Sequence, residues 1–206
     1  MTNEIMQEIY EMRKRIILAG KILPEYVKMA SENGRDKEKY RNLNSLRSGT
    51  MNMRDLEKLY DYIQKNNFAK ILEIGTLFGT SSYVMVRAML DNGIKESVVY
   101  TCDRHRLIVS EPQYDKYIKY YCMKSSKMLS EIKHEKFDFI FLDAKLREGD
   151  AKIISKMCNP LRLITHDYNP KMNRHNKGCY NIKWMKEVCG KLRLVDMNGM
   201  ALLEAK

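Results

Sequence analysis

The sequence has no apolar run approaching the roughly 18 residues that a membrane span requires, which excludes a transmembrane helix as its organising element and a membrane as partner. Its five cysteines, Cys102, Cys122, Cys158, Cys179 and Cys189, are odd in number and include no C-x-x-C pair. That spacing argues against a zinc ribbon or a disulfide framework, and they read as reduced thiols. The segment MTNEIMQEIYEMRKR lacks a basic stretch followed by an apolar core and a small-residue cleavage site, so no secretory leader is read and a cytoplasmic location is expected. There is no internal repeat and no low-complexity tract.

What is present fits one globular unit. A chain of 206 residues can bury a substantial core and carry a small appendage. Hydrophobic residues are 44% and charged residues 31%, an ordinary balance for a soluble domain. The formal net charge of +11 raises affinity for anions such as nucleic acid, phosphorylated metabolites or acidic glycans, and equally serves as a solvated basic surface.

Residues 1–66 carry helical spacing, with Ile5, Ile9, Met12, Ile16 and Ile17 in one set and Leu56, Leu59, Tyr60 and Ile63 in another. Between them Ser31 to Asp36 is a polar break, and Lys37 to Arg47 is basic and weakly periodic, as a mobile cap would be. From Ala69 onward the pattern alternates. Strand-like runs at Lys70 to Ile74, Ser97 to Cys102, Lys119 to Cys122, Phe137 to Leu142 and Leu161 to Thr165 are separated by helix-like runs, which predicts right-handed crossovers and a mainly parallel sheet. The ending differs: Leu192 to Asp196, then Asn198-Gly199, then Met200 to Glu204 is a hairpin signal, so the last strands are read as antiparallel.

The segment ILEIGTLFGTSS, Ile71 to Ser82, is a short apolar run that ends in Glu73, passes through Gly75 and Gly79 and opens into a helix-compatible segment. Glycine admits positive φ and close approach of a ligand, and the first amides of the next helix are unpaired. The segment lacks the third glycine of G-x-G-x-x-G and the Gly-Lys of the phosphate loop, and Glu73 repels phosphate but suits a cationic amine or a ribose hydroxyl.

In an open α/β sheet, ligands sit beyond the carboxyl ends of the strands, and every such end here is polar. Asp103 closes the second strand and is placed to accept ribose hydroxyls. Ser125 and Ser126 follow the third strand, where they can meet an adenine edge or cap the next helix. Asp143 and Asp167 end the fourth and fifth strands, close enough to converge on one divalent cation or one substrate proton. His166 is a candidate general base or a structural hydrogen-bonding residue.

Taken in order, ILEIGTLFGTSS, VVYTCD, FDFIFLDA and LITHDY resemble the class I S-adenosylmethionine-dependent methyltransferases, specifically their O-methyltransferase-like branch, over about Met51 to Lys206. His166 to Tyr168, then Gly178 and Trp184-Met185-Lys186, resemble the macrocin O-methyltransferase-like enzymes, while FDFIFLDA and the helix upstream resemble the catechol O-methyltransferase-like ones. The resemblance implies a Rossmann-like, doubly wound α/β fold: a seven-stranded, mainly parallel sheet with an antiparallel last strand. It implies an N-terminal helical cap at 1–50 and a cofactor-binding methyltransferase domain at 51–206. It assigns Glu73, Gly75 and Gly79 to the methionine part of S-adenosylmethionine, Asp103 to its ribose and Ser126 to its adenine, with Thr76, Ser81, Ser125 and Asp143 completing the cofactor set.

Two departures stand out. Catechol-type enzymes place an asparagine after the strand-five aspartate, where this chain has Tyr168, and the strand-four aspartate leads here into Ala144-Lys145-Leu146-Arg147. The expected chemistry is displacement of a sulfonium methyl by an acceptor oxygen. The first choice is a metal-assisted route, in which magnesium on Asp143 and Asp167 lowers the hydroxyl pKa; without a cation, His166, Asp143 or Lys145 helps to remove the proton. Arg104, Arg106, Lys145, Arg147, Lys171, Arg174 and Lys177 gather near the mouth, which points to a small anionic acceptor. RNA is the second acceptor class, although no aromatic-interleaved platform for bases is visible. A non-catalytic cofactor-binding protein is the third reading, and a homodimer is one arrangement of the chain.

Overall fold

The computed structural model describes residues 2–32, 50–171 and 176–205. Two helices lead, α1 (Asn3–Lys21) and α2 (Pro24–Glu32), followed by α3 (Met53–Asn66). Strands and helices then alternate: β1 (Lys70–Ile74), α4 (Thr80–Asp91), β2 (Val98–Asp103), the short α5 (Pro112–Asp115), β3 (Ile118–Cys122), α6 (Ser125–Glu131), β4 (Phe139–Leu142), α7 (Glu148–Met157), β5 (Arg162–Tyr168) and α8 (Lys177–Cys189). The hairpin β6 (Leu192–Asp196) and β7 (Gly199–Ala205) ends the fold. Most of the expected polar break, the basic stretch Lys37 to Arg47 and Arg174 lie outside the described residues.

The seven strands lie in the order β3-β2-β1-β4-β5-β7-β6. Strands β1 to β5 pair in parallel, and β7 runs antiparallel to both β5 and β6, so it alone is reversed. The order reverses at β1, with β2 on one side and β4 on the other, and that switch point is where such a sheet opens a crevice. The expected hairpin is present, with Asn198 at φ +55° and Gly199 at φ +103° in its turn.

The inner strands β1, β2, β4 and β5 are largely buried because helices cover both faces of the sheet, while the edge strands β3 and β6 keep exposed positions. On one side α1, α3 and α4 bury Ile16, Leu59, Ile63 and Val84 against Ile71, Val99, Phe139 and Phe141. On the other, α6, α7 and α8 bury Leu129, Ile154 and Met185 against Leu72, Ile140 and Leu163. Helix α1 is part of that core. Ile9, Met12, Ile16 and Ile17 are buried in it, each worth about 1.5–3 kcal/mol relative to exposure. An added Cβ at Gly20 would lie 2.5 Å from the Phe78 ring, so this helix rests directly on the loop after β1.

Five strands, β2, β3, β4, β5 and β7, differ from the sequence reading at one end or both, and the difference at β5 matters. Strand β5 runs on past Thr165 to Tyr168 through a bulge: His166 pairs with Met200 and Tyr168 with Gly199, leaving Asp167 unpaired at φ +56°. Strand β4 begins at Phe139 rather than Phe137.

Candidate functional site

The loop between β1 and α4 turns on positive φ at Gly75 (+106°), Leu77 (+46°) and Gly79 (+93°). At Gly75 a Cβ would come within 2.9 Å of the Asp143 carbonyl carbon, so only glycine lets β1 and β4 close on each other there. The amides of Gly75 and Thr76 donate to the Cys102 carbonyl, and that of Leu77 donates to Asp103 Oδ2 at 2.9 Å. The loop is thereby held against the end of β2.

Glu73 lies beneath this loop, fully buried. Its carboxylate accepts from the hydroxyls of Ser81, Ser82 and Thr101, and Thr76 Oγ1 lies 2.5 Å from Thr101 Oγ1. Burial pushes its pKa up to about 7, and the three hydroxyls oppose the shift. Glu73, Thr76 and Ser81 thus form one internal knot binding β1, β2 and the first turn of α4. Gly79 caps α4 and packs against Ile108 and Tyr83.

Above the loop is a cleft of about 190 Å³ lined by Gly75, Cys102, Asp103, Arg104, Met123, Ser125, Ala144 and Lys145. Of the residues expected from sequence, Gly75, Asp103, Ser125 and Lys145 come together here. Ser125 also donates to Asp150 at 2.9 Å, tying α6 to α7, while Ser126 sits in the first turn of α6. Buried Asn181 fixes the loop after β4: it accepts from the Leu146 amide and donates to the Ala144 carbonyl and Thr165 Oγ1. Lys145 Nζ lies 4.0 Å from the Tyr180 ring centroid, a cation–π contact.

Beside the cleft runs a chain of alternating charges. Lys58 Nζ donates to Asp55 Oδ1 at 3.1 Å, and Asp55 Oδ2 faces His166 Nε2 at 3.3 Å. His166 Nδ1 faces Asp143 Oδ1 at 2.8 Å, and Lys177 Nζ donates to Asp143 Oδ1 at 2.5 Å and reaches Asp167 Oδ2 at 3.0 Å. Burial alone would lower the His166 pKa, but its bonds to Asp143 and Asp55 outweigh that and bring it to about 9. Burial would raise both Asp55 and Asp143, yet their cationic partners hold both below the ordinary range. Lys177 is raised, Asp143 and Asp167 overcoming its burial. A histidine protonated between two carboxylates has no lone pair to offer, so in this state His166 is a charged clamp rather than the general base the sequence raised.

Asp55 and Lys58 were not among the residues expected from sequence. The signal for Asp55 was its helical spacing with Leu56, Leu59 and Ile63, which puts a carboxylate on the buried face of α3. Lys177 was read as one of several mouth cations, with no hint of its partners.

A divalent ion was expected on Asp143 and Asp167. Asp143, His166 and Asp167 do offer one ligand atom each within 4.8 Å of one another. Lys177 Nζ, however, already bonds both carboxylates, and His166 takes the same Asp143 oxygen. As arranged, the donor set does not fit a second, divalent cation.

S-adenosylmethionine meets a different test. The cleft combines the backbone turn at Gly75, a carboxylate at Asp103 for hydroxyls and the hydroxyl of Ser125. That donor set suits an amino-acid nucleoside.

A family model described as a methyltransferase domain matches residues 72–168. No curated protein matches the sequence. Among solved structures, the Bacillus cereus O-methyltransferase in complex with S-adenosylhomocysteine is similar at 15% identity and a TM-score of 0.59, over 100% of this chain and 92% of that one. The Streptomyces achromogenes O-methyltransferase TomG, involved in tomaymycin synthesis and bound to S-adenosylmethionine, gives 15% and 0.59 over 89% and 91%. A Podospora anserina methyltransferase bound to S-adenosylhomocysteine gives 13% and 0.53 over 100% and 97%. At such identities the likeness is one of fold.

Proposed function

We propose that this chain is a class I methyltransferase of the O-methyltransferase-like kind, a reading supported by the methyltransferase-domain match over residues 72–168 and by the likeness of fold: it transfers the methyl group of S-adenosylmethionine to an oxygen of a small acceptor. The observation that carries this reading is the cleft at the switch point, where the carboxyl ends of β1, β2 and β4 meet around Gly75, Asp103 and Ala144. When bound, S-adenosylmethionine supplies a methyl group on a positively charged sulfur.

The chain's own residues orient the partners. Asp103 accepts from ribose hydroxyls with the oxygen capacity that the Leu77 amide leaves free, and Ser125 and Ser126 border the adenine. Gly75 and Gly79 supply the positive φ on which the loop turns toward the methionine part, while Glu73, Ser81 and Thr76 hold it from below. Fixing two reactants in line converts a bimolecular encounter into a local one.

The acceptor is anionic or hydroxylated. Arg104 and Lys145 line the cleft, and Arg106, Arg147 and Lys171 are exposed nearby. Against the single carboxylate of Asp103 in the lining, this excess of cations draws an anion. Helix α1, expected as part of a cap, packs into the core of the domain and bears on Phe78 of the glycine loop.

Titration calorimetry with S-adenosylhomocysteine tests the assignment. The wild type is expected to bind one equivalent with a dissociation constant on the order of micromolar, near −8 kcal/mol. Gly75→Val is expected to abolish binding, and Asp103→Ala to weaken it by about 1.5–3 kcal/mol, the value of a hydrogen bond to a charged group. Wild-type affinity in both variants would reject the assignment.

A further inference from the structure

We propose that the Lys177 ammonium is this chain's built-in replacement for a divalent cation between Asp143 and Asp167, so that this pair of carboxylates holds no metal ion. The proposal rests on the methyltransferase reading above and goes beyond it. An ammonium has three N–H donors, and here all three face oxygen: the Asp143 carbonyl at 2.6 Å, Asp143 Oδ1 at 2.5 Å and Asp167 Oδ2 at 3.0 Å. That all-oxygen shell is the kind a hard metal ion takes. A metal bonding these carboxylates would lie roughly 2.0–2.6 Å from their oxygens, which is space the Lys177 nitrogen occupies. His166 Nδ1 lies 2.8 Å from Asp143 Oδ1 and 3.3 Å from Asp167 Oδ1, leaving neither carboxylate uncommitted.

The backbone is arranged to keep Lys177 there. It is the first residue of α8, and Asn176 caps that helix by accepting from the Cys179 amide at 3.2 Å. The next residue, Gly178, lets the helix abut β5: a Cβ there would lie 2.8 Å from Tyr168 N and Cα and 2.9 Å from the His166 carbonyl oxygen. From the other side, the bulge holds Asp167 at positive φ, which turns its carboxylate toward the same point.

Manganese is the probe, followed by the paramagnetic resonance signal of the free ion, with wild type, Lys177→Ala and Lys177→Met measured in parallel. The wild type is expected to leave the free-ion signal unchanged, and the folded variants to take up one equivalent of manganese that magnesium displaces. One equivalent bound by the wild type would overturn the proposal, as would no uptake by a variant whose circular dichroism matches the wild type. The wild-type arm decides even if both variants fail to fold. Calorimetry with S-adenosylhomocysteine on the same samples separates the two readings. Loss of that binding in the wild type strikes the cofactor assignment, whereas the manganese result bears on the lysine.

Discussion

At the scale of single residues, the site is built from charges that each need their neighbour. His166 shows this most directly, since its folded pKa of about 9 lies above the unperturbed value of about 6.5. A raised folded pKa means the native state binds the proton more tightly, so His166 contributes stability that is complete below about pH 6.5 and disappears as pH climbs through 9. The contribution is about 3 kcal/mol at full strength, from 1.36 kcal/mol per unit. Asp55 and Asp143 act in the opposite sense: their depressed pKa values stabilise the fold above the ordinary carboxylate range, and that is lost in acid as pH falls through the folded values. Urea unfolding between pH 6 and 10 should show the wild type losing stability through this window, while His166→Gln, less stable at pH 6, stays nearly flat. Parallel profiles for the two proteins would contradict the clamp. Asp103, Asp143 and His166 were legible in the sequence because a strand's carboxyl end announces itself in the pattern. The partners that set their charge state were not: Asp55 stands 111 positions before His166 on a helix, and no local spacing connects the two.

At the scale of elements, two junctions place the chemistry. The loop from β1 to α4 was readable because its glycines and polar residues stand together in sequence, and its internal knot of Glu73, Ser81, Ser82 and Thr101 explains why that helix begins where it does. The junction of β5 with α8 was hidden. The strand appeared to end at Thr165, because a bulge carries no alternation signal, and Asp167 is aimed only once β7 supplies the pairing that skips it. Gly178 belonged to the family resemblance, and its physical reason is now visible in the backbone of Tyr168 and His166 beneath it. Gly178→Ala replaces glycine by a better helix former, worth about 1 kcal/mol in an exposed helix. It is nevertheless expected to destabilise the protein by about 1–3 kcal/mol, because the added methyl meets main chain that cannot rotate away. Urea unfolding of this variant gives the sign; a gain in stability would mean that α8 does not rest on β5 as described.

At the scale of the whole molecule, the alternation of strands and helices was sufficient to anticipate a parallel sheet with a reversed hairpin at its end, and the order β3-β2-β1-β4-β5-β7-β6 has that form. Apolar runs covered on both faces leave a chain few other arrangements. The seating of α1 was less visible: its apolar stripe announced a buried face, while its support of Phe78 depends on Gly20, one residue among many in a helical pattern. No helix among the described residues is long and apolar enough to cross a membrane. The net charge of +11 is a property of the whole surface, and only Arg104 and Lys145 bring it into the cleft. In the proposed account the cleft at the switch point and the charged chain beside it form one working unit, with the cofactor on one side and a lysine in place of a metal on the other. A crystal structure grown with S-adenosylhomocysteine and an excess of magnesium examines both halves at once. The expected density has the nucleoside between Gly75 and Asp103 and the Lys177 nitrogen still between Asp143 and Asp167; an empty cleft, or a magnesium ion on those aspartates with Lys177 swung away, would contradict it.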